Sequence, residues 1–245
     1  KIVLLIKPIE NRNEAYAPRV QCSAACVGLA YDSCLYNKAT WCGQEMQSMT
    51  KTIRYPLPDL NTLPDDLQAK ILEVQEKSGF VPNVFLALAR RPAEWRAFFA
   101  YHDALMVPDS VGRTSGLTKG EREMIVTTTS AANHCLYCVV AHGAILRIYE
   151  KKPLVADQVA VNYRKADITP RQRAMLDFAM KVCLQSAELE ESDFTALHAH
   201  GFSDEDIWDI GAITAFFGLS NRMANMSGML PNPEFYLMGR VPKQK

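Results

Sequence analysis

Cys135, Cys138 and His142 stand at intervals that one helical face can bring together. Two thiols separated by a single turn can close a disulfide, and a histidine four residues beyond the second thiol returns to the same face. Such a histidine acts as a base toward a thiol or stabilises the thiolate as imidazolium. Attack of a thiolate on a peroxide O–O bond gives a sulfenic acid, which a second nearby thiol converts to a disulfide before further oxidation. A zinc site is the chemical rival, but it needs four ligands, and neither a second CxxC nor an HxxxH follows to complete it. The bland alternative is that both cysteines are small buried hydrophobes.

The elements that position these residues read as helices. Thr118-Lys119-Gly120-Glu121 has the form of a capping box and predicts a helix from about 119 to 132. Asn133 is expected to cap the next helix, which carries the CxxC and continues to about Tyr149. That start puts Cys135 in the second helical position, where the helix dipole makes it the better thiolate of the two. Upstream, Thr62 with Pro64 predicts a helix with Leu67, Ile71 and Val74 inward, stopped by Gly79, and Arg91-Pro92 opens another. Downstream, Thr169-Pro170, Ser192 and Ser203 open three more; the last turns Ile207, Ile210, Ile213 and Phe217 to one side. No alternating strand pattern intervenes, so the fold class is all-α, a compact multi-helix bundle. Residues 49–245 form this domain, and residues 1–48, with no lasting helical period, are an irregular N-terminal extension. Cys22, Cys26, Cys34 and Cys42 lie in that extension at spacings too irregular for a zinc knuckle, and incidental thiols are the expectation.

Lys plus Arg and Asp plus Glu both number 27, which argues against a nucleic-acid partner held by a broad basic surface. No apolar run approaches a membrane span, and Ile2 to Ile6 is too short for a signal-peptide core. Seven scattered cysteines do not resemble a secreted disulfide framework. An intracellular site is expected, either cytoplasm or an organellar matrix such as that of the mitochondrion.

Glu123 followed by Cys135-x-x-Cys138-x-x-x-His142 resembles the signature of the alkyl hydroperoxidase D family, within the carboxymuconolactone decarboxylase-like superfamily. Its peroxidase-related branch is resembled by Ser78-Gly79-Phe80-Val81-Pro82-Asn83-Val84-Phe85, by Ser130-Ala131-Ala132-Asn133, and by Ala215-Phe216-Phe217 with Asn221-Arg222. The likeness runs from about residue 50 to 230. It implies an all-helical homo-oligomer that reduces small hydroperoxides through a redox-active disulfide, without metal, haem or flavin. Cys138 would be the attacking thiol, Cys135 its resolving partner, and Glu123 with His142 the proton relay. A dithiol protein or small thiol would re-reduce the pair. The implied order of the two thiols runs against the dipole argument, which favours Cys135. This chain also has Tyr137 where well-characterised relays of the family carry a histidine. A phenol of ordinary pKa, about 10, donates a proton but is a poor base near neutrality. Turnover is then weak, or the relay runs through Glu123 and His142 alone. Glu123 has its own bland reading, a solvated carboxylate beside Arg122 in a charged first turn. The alternative to an enzyme is a structural or assembly subunit that retains the helical fold, with lactone decarboxylation a third reading independent of the thiols.

Overall fold

A computed structural model describes residues 54–107 and 115–240. The extension expected over 1–48, with Cys22, Cys26, Cys34 and Cys42, lies outside the described residues. Among the described residues ten α-helices run in the order α1 (Asp65–Ser78), α2 (Asn83–Leu88), α3 (Pro92–Met106), α4 (Lys119–Ala132), α5 (Leu136–Glu150), α6 (Val155–Asn162), α7 (Pro170–Gln185), α8 (Glu191–Ala199), α9 (Asp204–Ser227) and α10 (Glu234–Leu237). No strand occurs among the described residues, and no helix among them is long and apolar enough to cross a membrane.

Helix α4 is the axis of the bundle. Every residue from Gly120 to Ser130 is buried, because α5, α6, α7 and α9 all pack on it. Its start is fixed by the expected capping box: Thr118 Oγ1 accepts the Glu121 N–H at 3.1 Å, and Glu121 Oε2 accepts the Thr118 N–H at 2.9 Å. Capping boxes also open α7 at Thr169 and Gln172, and α9 at Ser203 and Asp206. Met124, Ile125, Leu146, Met175, Leu176, Ile210, Ile213 and Phe217 form the main core around this axis.

A buried helix surrounded on all sides must neutralise whatever charge it carries. Arg122 is 1% exposed. Its guanidinium donates to Asp209 Oδ2 at 2.7 Å, to Ser115 Oγ at 2.8 Å and to the Leu105 carbonyl at 2.6 Å. This pairing ties α4 to α9 and to the end of α3.

Three expected boundaries move, the least of them at α8, which is capped by Glu190 and not opened by Ser192. Thr62 does not cap α1; it sits in a 3-10 turn with its hydroxyl on the Asp59 carbonyl, and the helix begins after Pro64. Asn133 does not cap α5 but ends α4. His134 takes a left-handed conformation, φ 51°, and its N–H and that of Cys135 return to the carbonyls of Ala131 and Ser130. The chain therefore turns first and restarts at Leu136, with Cys135 as the N-cap residue.

Candidate functional site

The late start of α5 decides the environment of the thiols. Cys135 stands at the cap with extended backbone, and Cys138 lies in the first turn, one turn before His142. Both cysteines are free, and each is 1% exposed. The Cys135 pKa falls from its ordinary value to about 7, chiefly because the Cys138 thiol donates to it. The Cys138 N–H, the Asn221 side chain and the charge of His142 act in the same direction, against the cost of burial. Cys138, as the donor of that pair and itself buried, is pushed well above the ordinary thiol range. Its sulfur also lies 3.9 Å from Ser220 Oγ of α9. Of the two thiols, Cys135 is thus the one that gives up its proton first, and Cys138 the one that keeps it.

Glu123 and His142 meet between α4 and α5. Glu123 Oε2 lies 2.7 Å from His142 Nδ1, and the two side chains are 7% and 12% exposed. The imidazole packs edge-on against Phe217, with ring centroids 4.7 Å apart. Glu123 is buried because α4 is covered on every side, so the solvated reading of this carboxylate does not hold. A carboxylate on one ring nitrogen orients the imidazole and leaves the other nitrogen to exchange a proton.

Tyr137 lies at the contact between the first turn of α5 and α2. Its hydroxyl oxygen accepts the Val84 N–H at 3.3 Å, and its ring meets Phe235 edge-on. Burial raises its pKa well beyond the ordinary phenol value. The thiols share an apolar cluster with Tyr137, Ala141, Met229 and Phe235, against which Phe80, Val84 and Met238 pack. Two segments, one leading into α2 and one around α10, thus cover the CxxC. They are stitched together by Asn83 N–H to Asn232 Oδ1 at 2.8 Å, Asn83 Nδ2 to the Leu230 carbonyl at 2.8 Å, and Asn232 Nδ2 to the Val81 carbonyl at 2.9 Å.

The remaining sequence candidates fall elsewhere. His102 pairs with Asp103 at 2.9 Å, and His198 with the Phe202 carbonyl at 2.9 Å. Cys183 is half-buried, where burial raises its pKa. Trp95 and Phe99 fill a separate apolar cluster between α1 and α3. No group of three or more His, Cys, Asp or Glu could hold a metal ion among the described residues. Sequence reasoning missed Ser220 and Asn221 as neighbours of the thiols. The available signal was register: Asn221 occupies the apolar stripe Ile210, Ile213, Phe217, Ala224 of α9 and is fully buried there.

This arrangement of a tuned thiolate, a second thiol and a carboxylate–imidazole pair suits two-electron thiol chemistry. Comparison with known proteins agrees with the fold and the family. Residues 92–153 match the carboxymuconolactone decarboxylase family, a stretch that includes the CxxC, Glu123 and His142. A peroxidase-related protein from Ralstonia eutropha JMP134, described as having an alkylhydroperoxidase AhpD core, is 75% identical; the match covers 78% of this chain and 98% of that one, with a TM-score of 0.75. A peroxidase-related protein from Silicibacter sp. TM1040 is 43% identical over 77% of this chain and 95% of its own, TM-score 0.71. The debrominase Bmp8, in a structure with 2,3,4-tribromopyrrole, shares the fold at 21% identity, covering 75% of this chain and 93% of that one, TM-score 0.59. No curated protein matches the chain. The chain belongs to the alkylhydroperoxidase D-like, peroxidase-related branch of the carboxymuconolactone decarboxylase family.

Proposed function

We propose that this protein reduces small alkyl hydroperoxides with Cys135 and Cys138, while Glu123 and His142 move protons. The observation that carries the reading is the buried Glu123–His142 pair, 2.7 Å apart, one helical turn from a thiol pair that holds a thiolate near neutrality. A sulfur anion attacks the terminal oxygen of ROOH, the O–O bond breaks, and the leaving alkoxide takes a proton from His142. The other thiol displaces water from the sulfenic acid and closes the disulfide. The balance is two thiols and ROOH giving one disulfide, ROH and water. A dithiol then returns two electrons by exchange.

The family likeness supports Cys138 as the attacking sulfur and Cys135 as the resolving one. Because Cys135 gives up its proton first, attack by Cys138 begins with transfer of the shared proton to Cys135. Tyr137 we assign to holding the cover over the thiols and not to the relay. Assembly with further copies of the chain is part of the same reading. It is supported by a groove of about 800 Å³ between α3 and α9, whose lining includes the half-exposed Tyr101, Leu219 and Met226.

The test is purified protein with an alkyl hydroperoxide and dithiothreitol. Consumption of reductant is expected, and Cys138→Ser abolishes it; turnover unaltered by that change refutes the assignment. Trapping the sulfenic acid with a dimedone probe in Cys135→Ser identifies the attacking sulfur. Label on Cys138 supports the order given, and label found only on Cys135, in the Cys138→Ser protein, reverses it.

A further inference from the structure

Helix α9 ends at Gly228, and the chain that follows, residues 229–240, returns to pack on α5. Its underside is apolar: Met229 and Phe235 belong to the cluster that holds Cys135 and Cys138, and Met238 packs against it. Ties of three kinds fix this segment. Arg147 of α5, 4% exposed, donates from Nε to the Met238 carbonyl at 2.8 Å and from Nη2 to the Phe235 carbonyl at 2.9 Å. Bonds from a charged guanidinium fork are stronger than neutral ones and fix direction as well as distance. Gly239 has φ 71°, and a Cβ there would stand 2.8 Å from Arg147 Cβ and 3.3 Å from the Ile148 nitrogen, so the segment lies directly against the α5 backbone. Arg240 completes the hold with a two-pronged pair to Asp157 of α6, Nη1 to Oδ2 and Nη2 to Oδ1, both at 2.7 Å. Helix α10 is a single turn, so these ties and the apolar contact beneath it set its place. Cys183 takes no part in this cluster; it lies on α7 and meets Thr129 and Asn133.

We propose that residues 229–240 are a latched lid over the thiol pair, with Arg147, Gly239 and the Arg240–Asp157 pair as the latch that sets how often Cys135 and Cys138 meet solvent. The inference rests on the burial of the pair and holds whatever the pair reacts with. A reagent reaches a buried thiol through brief local openings, and its rate follows the open population when reclosing is faster than reaction. Each tie acts while the lid is closed, so its loss raises that population by the Boltzmann factor of its contribution. The ties are unequal. Those of Arg147 are buried and charge-assisted, whereas the side chains of Arg240 and Asp157 are 36% and 50% exposed and their pair is screened by water and salt. Arg147 is therefore the main latch and Arg240 the minor one. A lid seated by apolar contact alone would show no such order.

The experiment is alkylation of the reduced full chain by N-ethylmaleimide at fixed pH, with labelling of each cysteine peptide read by mass spectrometry and Cys183 as internal reference. Thiolate absorbance at the same pH corrects for any change in ionisation. Arg147→Met keeps an apolar stem, removes the guanidinium, and raises labelling of Cys135 and Cys138 relative to Cys183 about 10-fold or more. Gly239→Ala, whose methyl pushes the lid off α5 at a left-handed φ, raises the ratio about 5-fold. Asp157→Asn raises it about 2-fold. Asp66→Asn breaks an exposed pair of the same two-pronged form, with Arg96 between α1 and α3, and leaves the ratio unchanged. A variant that merely unfolds more readily labels Cys183 in step, so the ratio separates lid opening from general loss of stability. Should Arg147→Met not fold, the Gly239 and Asp157 variants carry the test. A ratio unchanged in both of these, or raised equally by Asp66→Asn, overturns the proposal. No peroxide enters the measurement, so a lid that behaves as described in a chain without hydroperoxide turnover stands while the peroxidase reading falls.

Discussion

Replacing Cys138 by alanine and by serine separates its two effects on Cys135. The Cys135 pKa of about 7 lies two units below the ordinary thiol reference of 9.0, with the Cys138 S–H as the largest cause. Two units correspond to about 2.7 kcal/mol of preference for the anion, within reach of one hydrogen bond to a charged acceptor plus smaller contributions. Alanine removes the donor; burial and the remaining donors then return the pKa to about 8–9, so thiolate at pH 7 falls from about one half to about a tenth or less. Serine keeps an O–H donor in the same place, and the pKa stays near 7. Absorbance titration of the reduced proteins reads both. The same pair bears on stability. The folded Cys135 pKa is depressed, so its contribution is fully present above the unfolded thiol value, about 8.5, and is lost as pH falls through about 7. For the reduced protein this amounts to about 2 kcal/mol across that interval, which Cys138→Ala removes and Cys138→Ser retains in urea denaturation. The raised Cys138 pKa works in the opposite sense at higher pH, so the gain does not continue above that interval. An unchanged Cys135 midpoint in the alanine variant refutes the thiol–thiol hydrogen bond and leaves the helix terminus and Asn221 as the source of the shift.

Three further perturbations have defined outcomes. Glu123→Gln removes the carboxylate from His142 and lowers peroxide turnover about 100-fold with little change in melting temperature; full turnover at saturating reductant contradicts the relay. Tyr137→Phe leaves the Val84 N–H without its acceptor and costs about 1–2 kcal/mol, seen as faster hydrogen exchange at the start of α2 while turnover persists. Loss of turnover in that variant at unchanged stability would return Tyr137 to the chemistry. Asp209→Ala strands the buried Arg122 guanidinium and costs about 3–5 kcal/mol, read as a lower urea midpoint at constant slope; a shift below about 1 kcal/mol shows that Ser115 and the Leu105 carbonyl suffice.

The bundle was legible where local chemistry repeats a global choice. Thr118, Thr169 and Ser203 each precede a side chain that closes a capping box, and the helices start where those residues direct. Helices α2, α6 and α10 span six, eight and four residues, too short for a helical period to declare itself, and went unread. Asn133 was misread for a physical reason: asparagine suits both an N-cap and a helix end, and only the left-handed turn at His134 separates the two. Cys135, Cys138 and His142 could be found from spacing alone. Glu123 was reached only through the family resemblance, because its burial depends on four other helices packing around α4, which no local pattern records. Asn221 marked itself by lying on an apolar stripe, yet its partners are 88 and 91 residues away in the chain.

Each thiol is 1% exposed, and in the proposed reaction a peroxide or reductant reaches them past the two segments that cover the pair. Helices of four and six residues have no stability of their own in water and hold only through what they pack against. Both such helices, α2 and α10, flank the cover over the CxxC, so the cover is drawn from the low-stability end of the molecule. Its seam is polar, running through Asn83 and Asn232, and water can replace those hydrogen bonds when the segments part. The far side is anchored differently: Arg147 of α5 donates to the Phe235 and Met238 carbonyls at 2.9 and 2.8 Å, which tethers α10 to the helix that carries the cysteines. The α2 side of the cover is thus held across the Asn83–Asn232 seam, and the α10 side by Arg147 as well. Tyr137 stands where the resembled family carries a histidine, and its bond to the Val84 N–H joins the first turn of α5 to the α2 side of the cover. In the proposed reaction the chemistry is left to Glu123, His142 and the thiols.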